Sequence, residues 1–145
     1  MSGTTHNLGV GIGLRRHFVK HITETLPPEI DWLEISPENY MGRGGRVVAN
    51  FETVAEHYPI IAHGLSLSIG SLDPLDWKYL KDLKQFLRTR KIAWFSDHLC
   101  FSSRYDAFLH DLFPLPFTKE AILHVSERAR QVQDFLEVPF ALENI

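Results

Sequence analysis

The sequence predicts a parallel α/β protein, and three observations carry that reading. Apolar runs of strand length alternate with stretches whose apolar residues recur at helical spacing. The runs are apolar on consecutive positions, as strands covered on both faces are. Polar residues enter each run mainly at its carboxyl end.

The small, polar segment 1–7, MSGTTHN, predicts a disordered N-terminal tail, and LGVGIG after it a first strand ended by glycine. Leu14, Phe18, Val19, Ile22 and Leu26 then mark a helix that Pro27 and Pro28 stop. DWLEIS, 31–36, is the second strand. The glycine-rich ENYMGRGG leads into a weaker helical stretch from Val47 to His57, and PIIAHG, 59–64, is the third strand. Asp73 followed by Pro74 predicts an N-cap and first turn for a helix striped by Leu75, Tyr79, Leu80, Leu83, Phe86 and Leu87. IAWFSDHL, 92–99, is the fourth strand, followed by a long loop containing YDAFLHDLFPLP. Thr118 caps a last helix with an inward face of Ala121, Ile122, Val125, Ala129, Val132 and Phe135, and VPFALENI, 138–145, is the fifth strand. This alternation fits two architectures. A doubly wound open sheet is complete with five strands, whereas a (β/α)8 barrel needs about 250 residues and would be cut part-way here.

Composition narrows the function classes. With 145 residues, 44% of them hydrophobic and 23% charged, the chain is an ordinary globular one. Its formal charge of −3 arises from interspersed residues with no basic block, which argues against nucleic acid as a partner. Cys100 is the single cysteine, so no internal disulfide forms. No signal peptide opens the sequence, and no apolar run approaches the roughly 20 residues of a membrane span. A cytoplasmic protein with no membrane partner is expected.

The strand ends hold the chemistry. Glu34, Ser36, Glu38 and Asn39 close the second strand, His63 the third, Ser96, Asp97 and His98 the fourth, and Glu143 and Asn144 the fifth. Taken singly, a histidine at a strand end is an ordinary hydrogen-bonded residue. Together, His63, His98 and Glu143 form an imidazole, imidazole and carboxylate set suited to iron, manganese or zinc. A carboxylate after Phe140, Ala141 and Leu142 is costly to bury, so Glu143 is expected to meet a metal or an arginine. Asp97 is a candidate to orient His98 from behind, although strand alternation aims it the other way. His110 falls in the long loop and is within reach of the rim, while His6, His17, His21, His57 and His124 fall on the tail or on helices. Gly9, Gly11 and Gly13 suggest a dinucleotide fingerprint, but the third glycine of that motif would have to be Leu14. Cys100 reads as an inert, semi-buried thiol.

In order along the chain, GVGIGLR, LEISPENYMG, AHGLSLSIGS, FSDHLC, LPLPFTKEA and FALENI resemble the multinuclear non-heme iron-dependent oxidative enzymes. This bacterial family is also catalogued as domain of unknown function 692 and includes enzymes of methanobactin biosynthesis. The resemblance runs from about Leu8 to Ile145 and covers the first half of a family member. It implies the N-terminal half of a (β/α)8 TIM barrel, xylose-isomerase-like, with about five parallel strands and four helices. Residues 8–145 would form a partial barrel truncated after the fifth strand. The resemblance also implies two or three iron ions in the intact enzyme, with at most one bound weakly here through His63, His98 and Glu143. Arg15, Asn39 and Asn144 would line the peptide pocket. The implied reaction is oxidative modification of cysteine residues in ribosomally made precursor peptides. A partner protein would recognise the leader, and a C-terminal half, or self-association, would complete the fold. Two rivals stand beside this reading: another divalent-metal barrel enzyme of isomerase or phosphodiesterase type, and an inactive truncated product that acts only through interactions.

Overall fold

The computed structural model describes residues 9–105 and 107–145; the tail at 1–7 lies outside the described residues. Strands β1 (Gly11–Gly13), β2 (Trp32–Ile35), β3 (Ile60–His63), β4 (Phe95–His98) and β7 (Phe140–Glu143) form one five-stranded sheet. Every neighbouring pair in it is parallel. Helices α1 (Arg16–Thr25), α2 (Arg46–Ala55), α3 (Trp77–Thr89) and α4 (Lys119–Leu136) connect successive strands.

The strand order decides between the two architectures. It runs β1-β2-β3-β4-β7, in chain order and without reversal. A doubly wound sheet reverses at a switch point so that helices cover both faces; an unreversed order with crossovers of one hand puts all the helices on one side. The protein is therefore an α/β half-barrel. Alternation then sorts the side chains. Leu33, Ile35, Ala62 and Phe95 point towards the helices and join a core with Val19, Ile22, Phe51, Val54, Leu80, Leu83 and Leu87. Glu34, Ile61, His63, Ser96, His98, Ala141 and Glu143 share the opposite face, because the register aligns Glu34 with Ile61, His63 with Ser96, Ser96 with Ala141 and His98 with Glu143. Gly11 permits the first pairing at close range: a Cβ there would lie 2.1 Å from the indole of Trp32.

The structure differs from the sequence reading in four places. The segment after β4 is an antiparallel hairpin, β5 (Phe101–Arg104) with β6 (Ala107–Phe113), instead of a loop. The backbone of His110 lies in β6, and its side chain is outside the described set. Helix α3 is capped by Asp76, whose Oδ1 accepts from the Tyr79 amide at 2.9 Å, and not by Asp73. Asp73 is held outside the helix, its amide donating to Ser71 Oγ at 3.1 Å and its carbonyl accepting from Arg128 at 2.8 Å. Helix α4 buries Val125, Arg128, Val132 and Leu136 and leaves Ile122 65% exposed, so its buried stripe is rotated from the expected one. In α1 the buried residues are Val19 and Ile22, while Phe18 and Leu26 lie at the surface. Thr118 caps α4 as expected, accepting from the Ala121 amide.

Candidate metal centre

Three neighbouring strands each deliver one donor to the same point. His63 ends β3, His98 ends β4 and Glu143 ends β7, all on the face away from the helices. His63 Nε2 lies 3.3 Å from His98 Nε2 and 3.1 Å from Glu143 Oε2, and His98 Nε2 lies 3.5 Å from the same oxygen. Three ligands at bonds of about 2.1 Å, with angles between octahedral and tetrahedral, sit about 3.0 to 3.4 Å apart. The observed triangle matches that spacing, and the donor set, two imidazoles and a carboxylate, suits a divalent transition metal. The residues fit the ion the sequence implies.

The surroundings orient the candidate donors. Ser96 Oγ is hydrogen-bonded to His63 Nδ1 at 2.9 Å, and with the proton on Nδ1 the Nε2 lone pair faces the shared point. Burial and the neighbouring His63 hold His98 below the ordinary imidazole value, which keeps it neutral and available near pH 7. The Nδ1 of His98 is buried, 3.9 Å from Asp97 Oδ1. That separation is too long for a hydrogen bond. Asp97 instead accepts from the backbone: Oδ1 from the His98 amide at 2.7 Å and Oδ2 from the Leu67 amide at 3.2 Å. Burial pushes its carboxyl up to about 7, opposed by those same amides. Gly64 makes room for it, since a Cβ at that position would come within 2.5 Å of Asp97 Oδ2 and 2.6 Å of Phe95.

Glu143 departs from expectation. Its side chain is 57% exposed and its partners are the two histidines, so the argument from burial cost does not apply to it. The reason is position: among the described residues β7 pairs only with β4, which leaves its far side open. Arg15 directly precedes α1, Asn39 ends the 3-10 turn Pro37–Asn39 after β2, and Asn144 follows Glu143; all three are exposed and stand at carboxyl ends of strands. Sequence reasoning gave no role to Ser96, although it lies two residues before His98 and therefore on the same strand face. His124 is fixed elsewhere, its Nε2 hydrogen-bonded to the Ser71 carbonyl at 2.8 Å.

The chain matches the family described as "RiPP precursor modification enzyme MbnB/TglH/ChrH" over residues 9–145. It belongs to that family. UPF0276 proteins are similar to it: it is 43% identical to one from Shewanella sediminis over 136 residues, 94% of this chain and 49% of that protein. Another, from Anaeromyxobacter sp., is 44% identical over 146 residues, covering 100% of this chain and 51% of the relative. A third, from Pseudomonas aeruginosa, is 41% identical over 137 residues, covering 94% of this chain and 48% of the relative. The chain thus spans about half the length of the curated relatives it matches. Membership of a family that modifies ribosomally synthesised precursor peptides agrees with the half-barrel, and the triad lies inside the matched region. Among the described residues no helix is long and apolar enough to cross a membrane.

Cys100 stands two residues beyond His98 but is 1% exposed, and burial pushes its thiol up to about 11. At neutral pH its thiolate fraction is then about two orders of magnitude below that of a free cysteine. Iodoacetamide at pH 7.5 is expected to leave Cys100 of the native protein largely unlabelled while labelling it readily in urea, as read by mass spectrometry. Complete native labelling within minutes would show an open, reactive thiol.

Proposed function

We propose that this chain is the first part of a non-haem iron-dependent enzyme that oxidatively modifies cysteine residues of ribosomally synthesised precursor peptides. The observation that carries the reading is the convergence of His63, His98 and Glu143 in a chain of the RiPP-modifying family. His63 and His98 would hold the ion through Nε2 and Glu143 through Oε2, and an iron ion there would supply the redox chemistry with dioxygen that cysteine oxidation requires. The protein's own part is positional. Ser96 fixes the ring of His63, the low basicity of His98 keeps its lone pair free, and the open side of Glu143 leaves space for substrate and for further donors. Arg15, Asn39 and Asn144, each exposed at the carboxyl end of a strand, bind the peptide. The intact enzyme takes further metal ligands from the part of its relatives' length that this chain does not span, and works with a leader-recognising partner protein.

The test is an anaerobic ferrous titration followed by an oxygen pulse and mass spectrometry of a cysteine-containing precursor peptide. Residues 1–145 alone are expected to bind iron weakly and to modify the peptide no faster than free iron does. Adding the second half of the Shewanella sediminis relative should produce a mass change on cysteine that His63→Ala abolishes. Modification that persists in His63→Ala would overturn the reading.

A further inference from the structure

The backbone just after His63 is held on two sides. From β4, the Ser96 carbonyl accepts from the Gly64 amide at 2.7 Å and Asp97 Oδ2 accepts from the Leu67 amide at 3.2 Å. From the end of β2, Glu38 Oε1 accepts from the Leu65 amide at 2.9 Å and from the Tyr79 hydroxyl at 2.8 Å. Tyr79 is in turn seated by Asp76, the cap of α3. One carboxylate oxygen therefore links the end of β2, the first turn of α3 and the residue two places beyond a metal-ligand candidate.

We propose that Glu38 is a positioning residue for His63: by fastening the Leu65 amide and the Tyr79 hydroxyl to one oxygen, it fixes the turn that aims the His63 ring at the shared point. This rests on the metal-site reading above. Its logic is geometric. His63 is tied to Ser96 through Nδ1, and Ser96 and Asp97 both belong to the strand of His98, so those bonds hold His63 relative to β4 alone. On the opposite side the β2–β3 ladder ends at Ile35 and Ala62, and Glu38 carries the attachment beyond His63 to Leu65. Its other oxygen, Oε2, is buried without a hydrogen-bond partner. A carboxylate that keeps a buried oxygen unsatisfied is an unfavourable choice for simple packing, and the two bonds at Oε1 are what it contributes. Any acceptor of the same shape performs the task, so glutamine should replace Glu38 and alanine should not.

The test uses residues 1–145, cobalt(II) as a spectroscopic probe of the triad and amide hydrogen exchange of the cation-free protein. Glu38→Ala is expected to weaken cobalt binding about tenfold, the lower end for residues that support metal ligands, and to speed exchange at Leu65 by a similar factor. Glu38→Gln should stay within about threefold of the unmodified protein on both readouts. Should Glu38→Ala fail to fold, Tyr79→Phe, which removes one of the two bonds at Oε1, should weaken cobalt binding by about threefold. Unchanged affinity in Glu38→Ala or, in its place, in Tyr79→Phe would overturn the proposal. So would a glutamine variant as weak as the alanine one, because the effect would then be one of charge. If the unmodified protein binds no cobalt, the metal-site reading fails, and Leu65 exchange alone decides whether Glu38 holds the turn.

Discussion

Replacing His63, His98 or Glu143 by alanine should lower ferrous or cobalt affinity by about 100-fold or more, whereas His57→Ala should leave it unchanged. The expectation follows from donor count. With three protein donors 3.1 to 3.5 Å apart, removing one leaves two, and two donors define no closed triangle. Losses of 10- to 100-fold are typical for residues that merely support a ligand, so a ligand itself sits at or above the top of that range. Glu143 removes charge as well as a bond, because it is the only anionic donor of the three. His57 is an exposed histidine beyond α2 and serves as the control. Isothermal titration under anaerobic conditions reads all four variants. A Glu143→Ala protein that binds like the unmodified chain would remove the carboxylate from the site.

Phe95→Ala should cost about 3 to 5 kcal/mol of stability, the range for deleting a fully buried aromatic ring. Phe95 is 0% exposed in the centre of the sheet. Its ring stacks on Phe140 with centroids 5.7 Å apart, and it packs so closely on Gly64 that a Cβ there would meet it at 2.6 Å. The ring thus joins β4 to β7 and supports the turn after His63. Urea denaturation should show a midpoint shifted to lower concentration with an unchanged slope. Metal affinity should fall with it, because the cavity lies beneath two of the three strands that carry the candidate donors. A loss under 1 kcal/mol would mean that the neighbouring side chains collapse into the space and that Phe95 is no keystone of the sheet.

The alternation of apolar runs and helical stripes was enough to place the five parallel strands, because a strand-length run followed by a stretch of helical period is the order that parallel pairing through crossover helices requires. Polarity at the strand ends was enough to select His63, His98 and Glu143. The hairpin of β5 and β6 was not legible, since its sequence is mixed and its bonds are to a distant turn: the Ser68 hydroxyl accepts from the Ser102 and Ser103 amides, and Ser71 Oγ donates to the Ser103 carbonyl. The start of α3 was misplaced for a similar reason. Asp73-Pro74 and Asp76 are both acceptable caps locally, and the contact that holds Asp73 outside the helix comes from Arg128, 55 residues away. The support given by Glu38 was hidden because its partners, Leu65 and Tyr79, lie 27 and 41 residues along the chain. Side-chain pattern predicts faces; it does not predict which amide a carboxylate will find across a turn.

X-ray absorption spectroscopy of the iron-loaded chain addresses the central claim most directly, because it counts ligands at the metal itself. Two imidazole nitrogens and one carboxylate oxygen at about 2.1 Å, with the imidazole scattering halved in His98→Ala, are the predicted result. A shell of oxygen scatterers alone, unaltered by His98→Ala or His63→Ala, would contradict the account.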